Sequence, residues 1–279
     1  MIQSLKRSHP IVVFLYFIGI FLLAPFSHHP WMTTVQMICL CGLYLYHNRS
    51  LKKLVPFIGL ILIVALTNPL FVQRGRTILY ANEHIRITKE AMLYGLHYGC
   101  VLVNLLFAFS IFNQYIKKEQ WIYLSGKLFP KIGVITSMAF ALVPRYQKQA
   151  KKIINVRKTL KRQENAVRRT MHTVSMETTW AFESSMDQLD SMNARGYGIG
   201  KRTHFHLFVW ERKDLIHTIE IFALLGLNLW AYKNYYSRFF FYPMILMNLM
   251  KMKDVFWMGI MALQFLLPLL WKENFHVRN

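Results

Sequence analysis

The chain has 279 residues, 54% hydrophobic and 15% aromatic, and only 17% are charged, where a soluble domain carries roughly a quarter. Its 34 Lys and Arg outweigh 13 Asp and Glu, a net charge of +21 that calls for anionic lipid, nucleic acid or an acidic partner. Disorder, a coiled coil and a disulfide-rich secreted fold are excluded, and the expected class is an all-α polytopic membrane helix bundle.

In chain order, Ser8 to Asn48 contains no Lys, Arg, Asp or Glu and is divided by Pro25-Phe26-Ser27-His28-His29-Pro30. This predicts a helical hairpin whose halves centre on Ile11–Ala24 and Trp31–Tyr46 and, with their uncharged flanks, reach the roughly 20 residues that a span needs. Lys6 and Arg7 precede the first half as in a signal peptide, but no small-x-small cleavage site follows, so it is read as a retained span. Cys39, Cys41 and Cys100 all lie in apolar stretches and read as small hydrophobes. A third span is expected from Leu54 to Val72, broken near its end by Asn68-Pro69, and a fourth from Ala91 to Phe112, which has no charge in 22 residues.

From Asn113 to Lys213 the chain carries 19 Lys and Arg against 7 Asp and Glu, a net of +12, which marks a cytoplasmic block. Lys6 and Arg7 before the first span and Arg49, Lys52 and Lys53 after the second put the N-terminus on the cytoplasmic side. The loop from Gln73 to Glu90, with Arg74, Arg76, Arg86 and Lys89 against Glu83 and Glu90, then falls on the outer side as a mild violation of the rule. Beyond Lys213, Leu215–Tyr232 and Val255–Trp271 look like further spans, and Phe239–Met250, about 12 residues, looks re-entrant or interfacial. The expected organisation is a four-span bundle over 1–112, a basic coupling-helix region over 113–213 and C-terminal spans over 214–279, with five to seven spans in all.

Between Pro144 and Gly200 two long amphipathic helices are expected. The first sets Val143, Tyr146, Ala150 and Ile153 on one face, with Arg145, Lys148, Lys151, Lys152, Arg157, Lys158, Lys161 and Arg162 around it. Its basic face suits either a lipid-facing or solvated surface or the docking of a partner. The second sets Phe182, Met186, Leu189 and Met192 on one edge, with Glu177, Glu183, Asp187 and Asp190 polar, Arg195 at the exit and Gly196 as a ready C-cap. Arg195 taken alone reads as a cation on a helix C-terminal dipole.

No catalytic group, cofactor or metal site is expected. The run Gly196-Tyr197-Gly198-Ile199-Gly200-Lys201-Arg202 has its glycines one residue too close for a phosphate loop, and Arg202 replaces the Ser or Thr that would hold magnesium. His28-His29 and His204-x-His206 lack the spacing and neighbours of a metal site. Asn68, Asn104 and His97 are the polar groups within the spans and read as helix-packing hydrogen bonders.

Ser191-Met192-Asn193-Ala194-Arg195-Gly196-Tyr197, followed by Arg202-Thr203 and a second apolar region, resembles the second Ala-Arg-Gly signature of the T component of energy-coupling factor (ECF) transporters, the EcfT or CbiQ family. The resemblance extends over most of the chain. It takes in Ser8-His9-Pro10, Asn68-Pro69-Leu70-Phe71, Arg74-Gly75-Arg76-Thr77-Ile78-Leu79-Tyr80, Ile87-Thr88-Lys89-Glu90-Ala91 and Phe140-Ala141-Leu142-Val143-Pro144-Arg145. It implies a scaffold in the cell membrane without enzymatic activity of its own. Two ABC-type ATPase subunits would dock on its coupling helices, and a small substrate-binding membrane subunit for a vitamin or metal ion would be held beside it.

By the same resemblance Arg195, between Ala194 and Gly196, is the ATPase-docking tip of the second coupling helix, and Arg157 is the tip of the first, with Arg145, Lys148 and Lys152 as a supporting basic face. The first motif departs from the family pattern: it is Val156-Arg157-Lys158, in a helix expected to continue through Leu160 and Lys161, and no Arg lies near Cys100 in span four. The competing reading is a basic membrane-anchored protein whose Arg145–Arg169 segment holds anionic lipid or nucleic acid through phosphate contacts.

Overall fold

The computed structural model describes residues 8–26, 29–48, 51–72, 75–81, 86–159, 165–200, 208–234, 239–242 and 252–271. These residues form nine α-helices: α1 (Pro10–Leu23), α2 (Pro30–Asn48), α3 (Val55–Phe71), α4 (Lys89–Tyr115), α5 (Lys118–Leu128), α6 (Pro130–Thr159), α7 (Ala166–Ala194), α8 (Arg212–Asn234) and α9 (Met252–Leu270). A short 3-10 turn, Leu51–Leu54, leads into α3, and strands β1 (Ile78–Ala81) and β2 (Arg86–Thr88) pair antiparallel. The chain divides into two compact units, one of 1–117 with 210–279 and the other of 118–209.

In the first unit α1 is apolar all round, and eight of its 14 residues are buried. Val12, Val13, Tyr16, Phe17 and Ile20 are buried against Leu40, Val103, Phe107 and Phe265 from the other helices. The Phe17 ring meets Phe112 edge-on at 5.3 Å, and the Tyr16 hydroxyl donates to the Phe265 carbonyl at 2.7 Å, so the one polar atom this stripe buries is satisfied.

Among the described residues four helical stretches are long and apolar enough to cross a membrane: Leu51–Phe71, Lys89–Tyr115, Arg212–Asn234 and Met252–Leu270. The first two overlap the third and fourth expected spans. The hairpin of the first two expected spans forms as helices but falls short of that criterion. The helix α1 covers 14 residues, and α2, with 19, carries Thr33, Thr34, Gln36, His47 and Asn48, which lower its mean hydropathy. Pro69 does not break α3, which runs on to Phe71 and so carries the proline in its last turn. Of the Phe239–Met250 segment, only residues 239–242 are described.

The gap between α3 and α4 is not the plain loop that an all-helical reading implies. Ile78, Tyr80, Ile87 and Thr88 favour extended backbone, and Tyr80 pairs with Ile87 across a bulged two-strand ladder. Thr88 then caps α4, its Oγ1 accepting the Ala91 N–H at 3.3 Å. The buried Glu90 carboxylate accepts the Thr77 N–H at 3.2 and 3.3 Å, strapping the hairpin over the helix start.

A second polar clasp joins the start of α1 to the start of α8. The buried Asp214 accepts the His9 N–H on Oδ1 at 3.1 Å and the Glu211 N–H on Oδ2 at 3.0 Å. The second bond is one half of a capping box at the α8 N-terminus. The His9 ring packs on Trp210 at 4.7 Å, which fixes where the chain re-enters this unit. Asp214→Ala leaves both N–H groups without their acceptor and is expected to lower the stability of the detergent-solubilised chain by about 1–3 kcal/mol, with Asp214→Asn milder. Thermal unfolding in which all three proteins melt together would refute the clasp.

In the second unit, α6 is longer than its expected amphipathic piece, starting at Pro130 and running straight through Pro144. Pro144 removes the N–H that would bond the Phe140 carbonyl, and both residues are exposed. The turn between α5 and α6 depends on two glycines, since Gly126 and Gly133 touch backbone to backbone and a Cβ on Gly133 has no room.

Candidate functional site

The helices α6 and α7 meet at Tyr146 and Trp180, whose rings pack edge-on at 5.6 Å. On α6 the packed face includes Tyr146, Ala150 and Ile153, as the spacing predicts, while Val143 is exposed. On α7 the half-buried face is Thr173, Glu177, Trp180, Ala181, Ser184, Gln188 and Met192. The edge of Phe182, Met186 and Leu189 points the other way, with Phe182 70% and Met186 66% exposed. Val167, Met171 and Val174 continue that exposed edge toward the start of α7, with the exposed Thr178 in the eight-residue step between Val174 and Phe182, so the edge is apolar except at that position.

This edge leads to the Ala194-Arg195-Gly196 tip. The helix closes in a Schellman motif: the Tyr197 N–H donates to the Met192 carbonyl at 3.1 Å, and the Gly196 N–H donates to the Asn193 carbonyl at 2.9 Å. Gly196 holds φ +77°, a left-handed conformation that a Cβ would strain by about 1–2 kcal/mol. Arg195 is the C-cap, and both it and Ala194 are exposed. The sequence therefore builds a helix end that projects one cation between two small residues, on the favourable pole of the helix dipole.

Arg157 lies in the last turn of α6 and is half-buried, between the exposed Val156 and Lys158. The helix is described as far as Thr159, and Leu160 and Lys161 lie outside the described residues. The two arginines are not brought together. Residues 160–165 can span at most about 22 Å, against about 45 Å for the length of α6, so α7 starts near the end of α6 and runs back along it. From the Tyr146–Trp180 contact, Arg157 is 11 residues along α6 and Arg195 is 15 residues along α7, about 16 and about 22 Å away in opposing senses.

Arg145, Lys148 and Lys152 share one exposed face of α6, and none of them makes an ion pair among the described residues. Lys151 is also exposed. On α7, Glu183, Asp187 and Asp190 are exposed, whereas both Glu177 carboxylate oxygens are covered and without a hydrogen-bond partner among the described residues.

No protein-family model and no curated protein matches this chain. The chemistry that can be assigned is therefore carried by the geometry alone.

Asn68, Asn104 and His97, the polar groups within the apolar segments, all bond from one helix to another. Asn68 donates to the Ala91 carbonyl at 2.7 Å, Asn104 donates to the Thr33 carbonyl at 3.2 Å, and His97 Nδ1 lies 3.2 Å from Thr33 Oγ1. Sequence reading missed three more, Gln36, Asn228 and Gln264, each no more than 1% exposed. Their signal was a polar amide within an otherwise apolar helical run. Among the described residues no group of three His, Cys, Asp or Glu side chains could hold a metal ion. His29 packs on Phe239 at 5.2 Å, and burial holds its imidazole below the usual range against the opposing pull of Asp254. His28, His204 and His206 lie outside the described residues.

Proposed function

We propose that the chain is the transmembrane scaffold subunit of an ECF-type importer, passing the work of two partner ABC-type ATPases to a small substrate-binding membrane subunit for a micronutrient. The observation that carries this reading is the α7 tip: Arg195 projects from a Schellman-capped end between Ala194 and Gly196, beyond an exposed edge that is apolar except at Thr178. An exposed helix with an apolar edge and a cationic end is suited to a groove with an acidic rim, since guanidinium pairs bidentately with carboxylate and never loses its charge. The placement of Arg157 and Arg195 on opposite sides of the α6–α7 contact suits two separate ATPases better than one.

The bundle of the first unit is the membrane part of this scaffold. The exposed apolar side chains Ile58, Leu62, Ile63 and Leu66 of α3 and Leu215, Ile219 and Phe222 of α8 face lipid or the substrate-binding subunit. The scaffold sits in the cell membrane with its N-terminus and its basic unit in the cytoplasm, by the distribution of Lys and Arg.

A second reading rests on Arg145, Lys148 and Lys152, whose shared exposed face would also suit anionic lipid, at about 1 kcal/mol per residue. The test is affinity purification of the tagged chain from membranes in mild detergent, beside Arg195→Glu. Two ABC-type ATPase chains and a small membrane subunit are expected with the unaltered chain, and the ATPases should be lost from the variant. Recovery of lipid or nucleic acid alone, released steeply by salt and unchanged in the variant, would replace the scaffold reading with the surface-anchor one.

A further inference from the structure

Residues 120–163 include ten Lys and Arg and no Asp or Glu, and within that run residues 132–143 are uncharged. The uncharged stretch forms the early part of α6, which packs on α5 where the Gly126 and Gly133 backbones touch and Gly133 is buried. Ile132, Ile135, Ala139 and Val143 stay on an uncovered face at three- and four-residue spacing, with Ile135 66% exposed, and the exposed Phe140 widens it. An apolar edge about 16 Å long is therefore left bare, and the exposed Phe129 precedes it. The exposed Lys131 and Arg145 close its two ends, with Lys148 a turn further along.

We propose that this edge of α6 lies in the surface of an anionic lipid leaflet, its apolar side chains among the upper acyl segments and Lys131, Arg145 and Lys148 at the phosphates. The proposal rests on reading α4 as a membrane span. Only Ile116 and Lys117 separate α4 from α5, a link of at most about 11 Å, so the α5–α6 hairpin starts within reach of the bilayer surface. Twelve uncharged residues are too few to cross a bilayer, which takes about 20, so the helix lies along the surface instead of spanning it. Lys is depleted from protein interfaces, whereas cations at the ends of an apolar edge reach headgroups while their stems stay among acyl chains. The absence of any carboxylate over these 44 residues removes the repulsion that an anionic surface would otherwise meet. A second copy of the chain fits poorly, because it would set ten like charges against ten.

The test uses the full chain reconstituted in vesicles of phosphatidylcholine and phosphatidylglycerol whose acyl chains carry a diazirine, with the photoadducts located by peptide. Residues 132–143 are expected to label within about threefold of the exposed α4 residues Leu102, Leu106 and Phe109, and at least about tenfold more than residues 194–200. Ile135→Glu should lower labelling of 132–143 about tenfold and leave α4 as it was, while Ile135→Leu keeps both. Ile135 is exposed, so neither substitution disturbs the packing of α6 on α5. In phosphatidylcholine alone, labelling of 132–143 should fall about threefold or more. Labelling of α4 with none at 132–143 above the level of residues 194–200 would overturn the insertion and give the edge to water or to a protein surface. Equal labelling in the two kinds of vesicle would overturn the anionic partner. A chain in which neither α4 nor 132–143 labels would overturn the membrane reading itself, so the two failures are told apart.

Discussion

Arg195→Glu is expected to weaken binding of the ATPase partners at least tenfold, while Lys151→Glu leaves it unchanged. Truncating one member of a buried, hydrogen-bonded charge pair costs about 2–5 kcal/mol, mostly because the other charge stays buried and alone. Reversal adds repulsion between the new carboxylate and the acidic group it faces. The local cost within α7 is smaller, since an anion at a helix C-terminus loses about 0.3–1 kcal/mol, and the Gly196 cap is built from backbone groups that the substitution leaves in place. Lys151 is a fair control because it is exposed on α6 within the same basic unit and changes the net charge by the same amount. Binding of purified ATPases to the immobilised chain at fixed ionic strength measures the difference. Arg195→Gln should fall between the unaltered chain and the reversal. Equal losses from Arg195→Glu and Lys151→Glu would mean that total charge governs binding, and the tip would have no specific role.

The parts of this molecule that were legible in the sequence are those specified by residues close together in the chain. A run of 22 residues without a charge becomes the long helix α4, and a glycine after an amphipathic stretch becomes the left-handed cap of α7. What was not legible depends on segments that meet only on folding. Phe182, Met186 and Leu189 form a proper apolar edge by spacing, but the face of α7 that packs on α6 centres on Trp180 because Tyr146 lies opposite it. The hairpin after α3 was hidden because its strands are only four and three residues long and its charged residues read as loop. Pro144 reads as a helix boundary by its own preference, yet α6 passes through it, with Phe140 and Pro144 both exposed. The Asn228–Gln264 pair joins residues 36 apart, and no local pattern announces it.

Another feature of this kind yields the second large effect: Gly95→Leu is expected to destabilise the chain by about 3 kcal/mol or more, with Gly99→Ile close behind. These glycines are four apart on α4 and lie where α3 crosses closest. A Cβ on Gly95 would meet Asn68 Cβ at 2.8 Å, and Ala65 Cα and its carbonyl oxygen at 3.1 and 3.2 Å. On Gly99 it would meet the Ile61 Cα and carbonyl oxygen, both at 3.2 Å. Most of these obstacles are backbone, so no rotamer change relieves them and the helices must part. Separation would also stretch the 2.7 Å bond from Asn68 to the Ala91 carbonyl, which holds α3 to the start of α4. Small residues four apart are the usual means by which apolar helices come this close, where dispersion between backbones replaces a hydrophobic driving force. Gly59, on α3 with nothing within 4 Å of its would-be Cβ, is the matched control, and Gly59→Ala should be neutral or slightly stabilising through helix propensity. Thermal unfolding of the three variants in one detergent tests the crossing. A melting temperature that falls as far for Gly59→Ala as for Gly95→Leu would show that the loss comes from glycine replacement in any helix rather than from contact between α3 and α4.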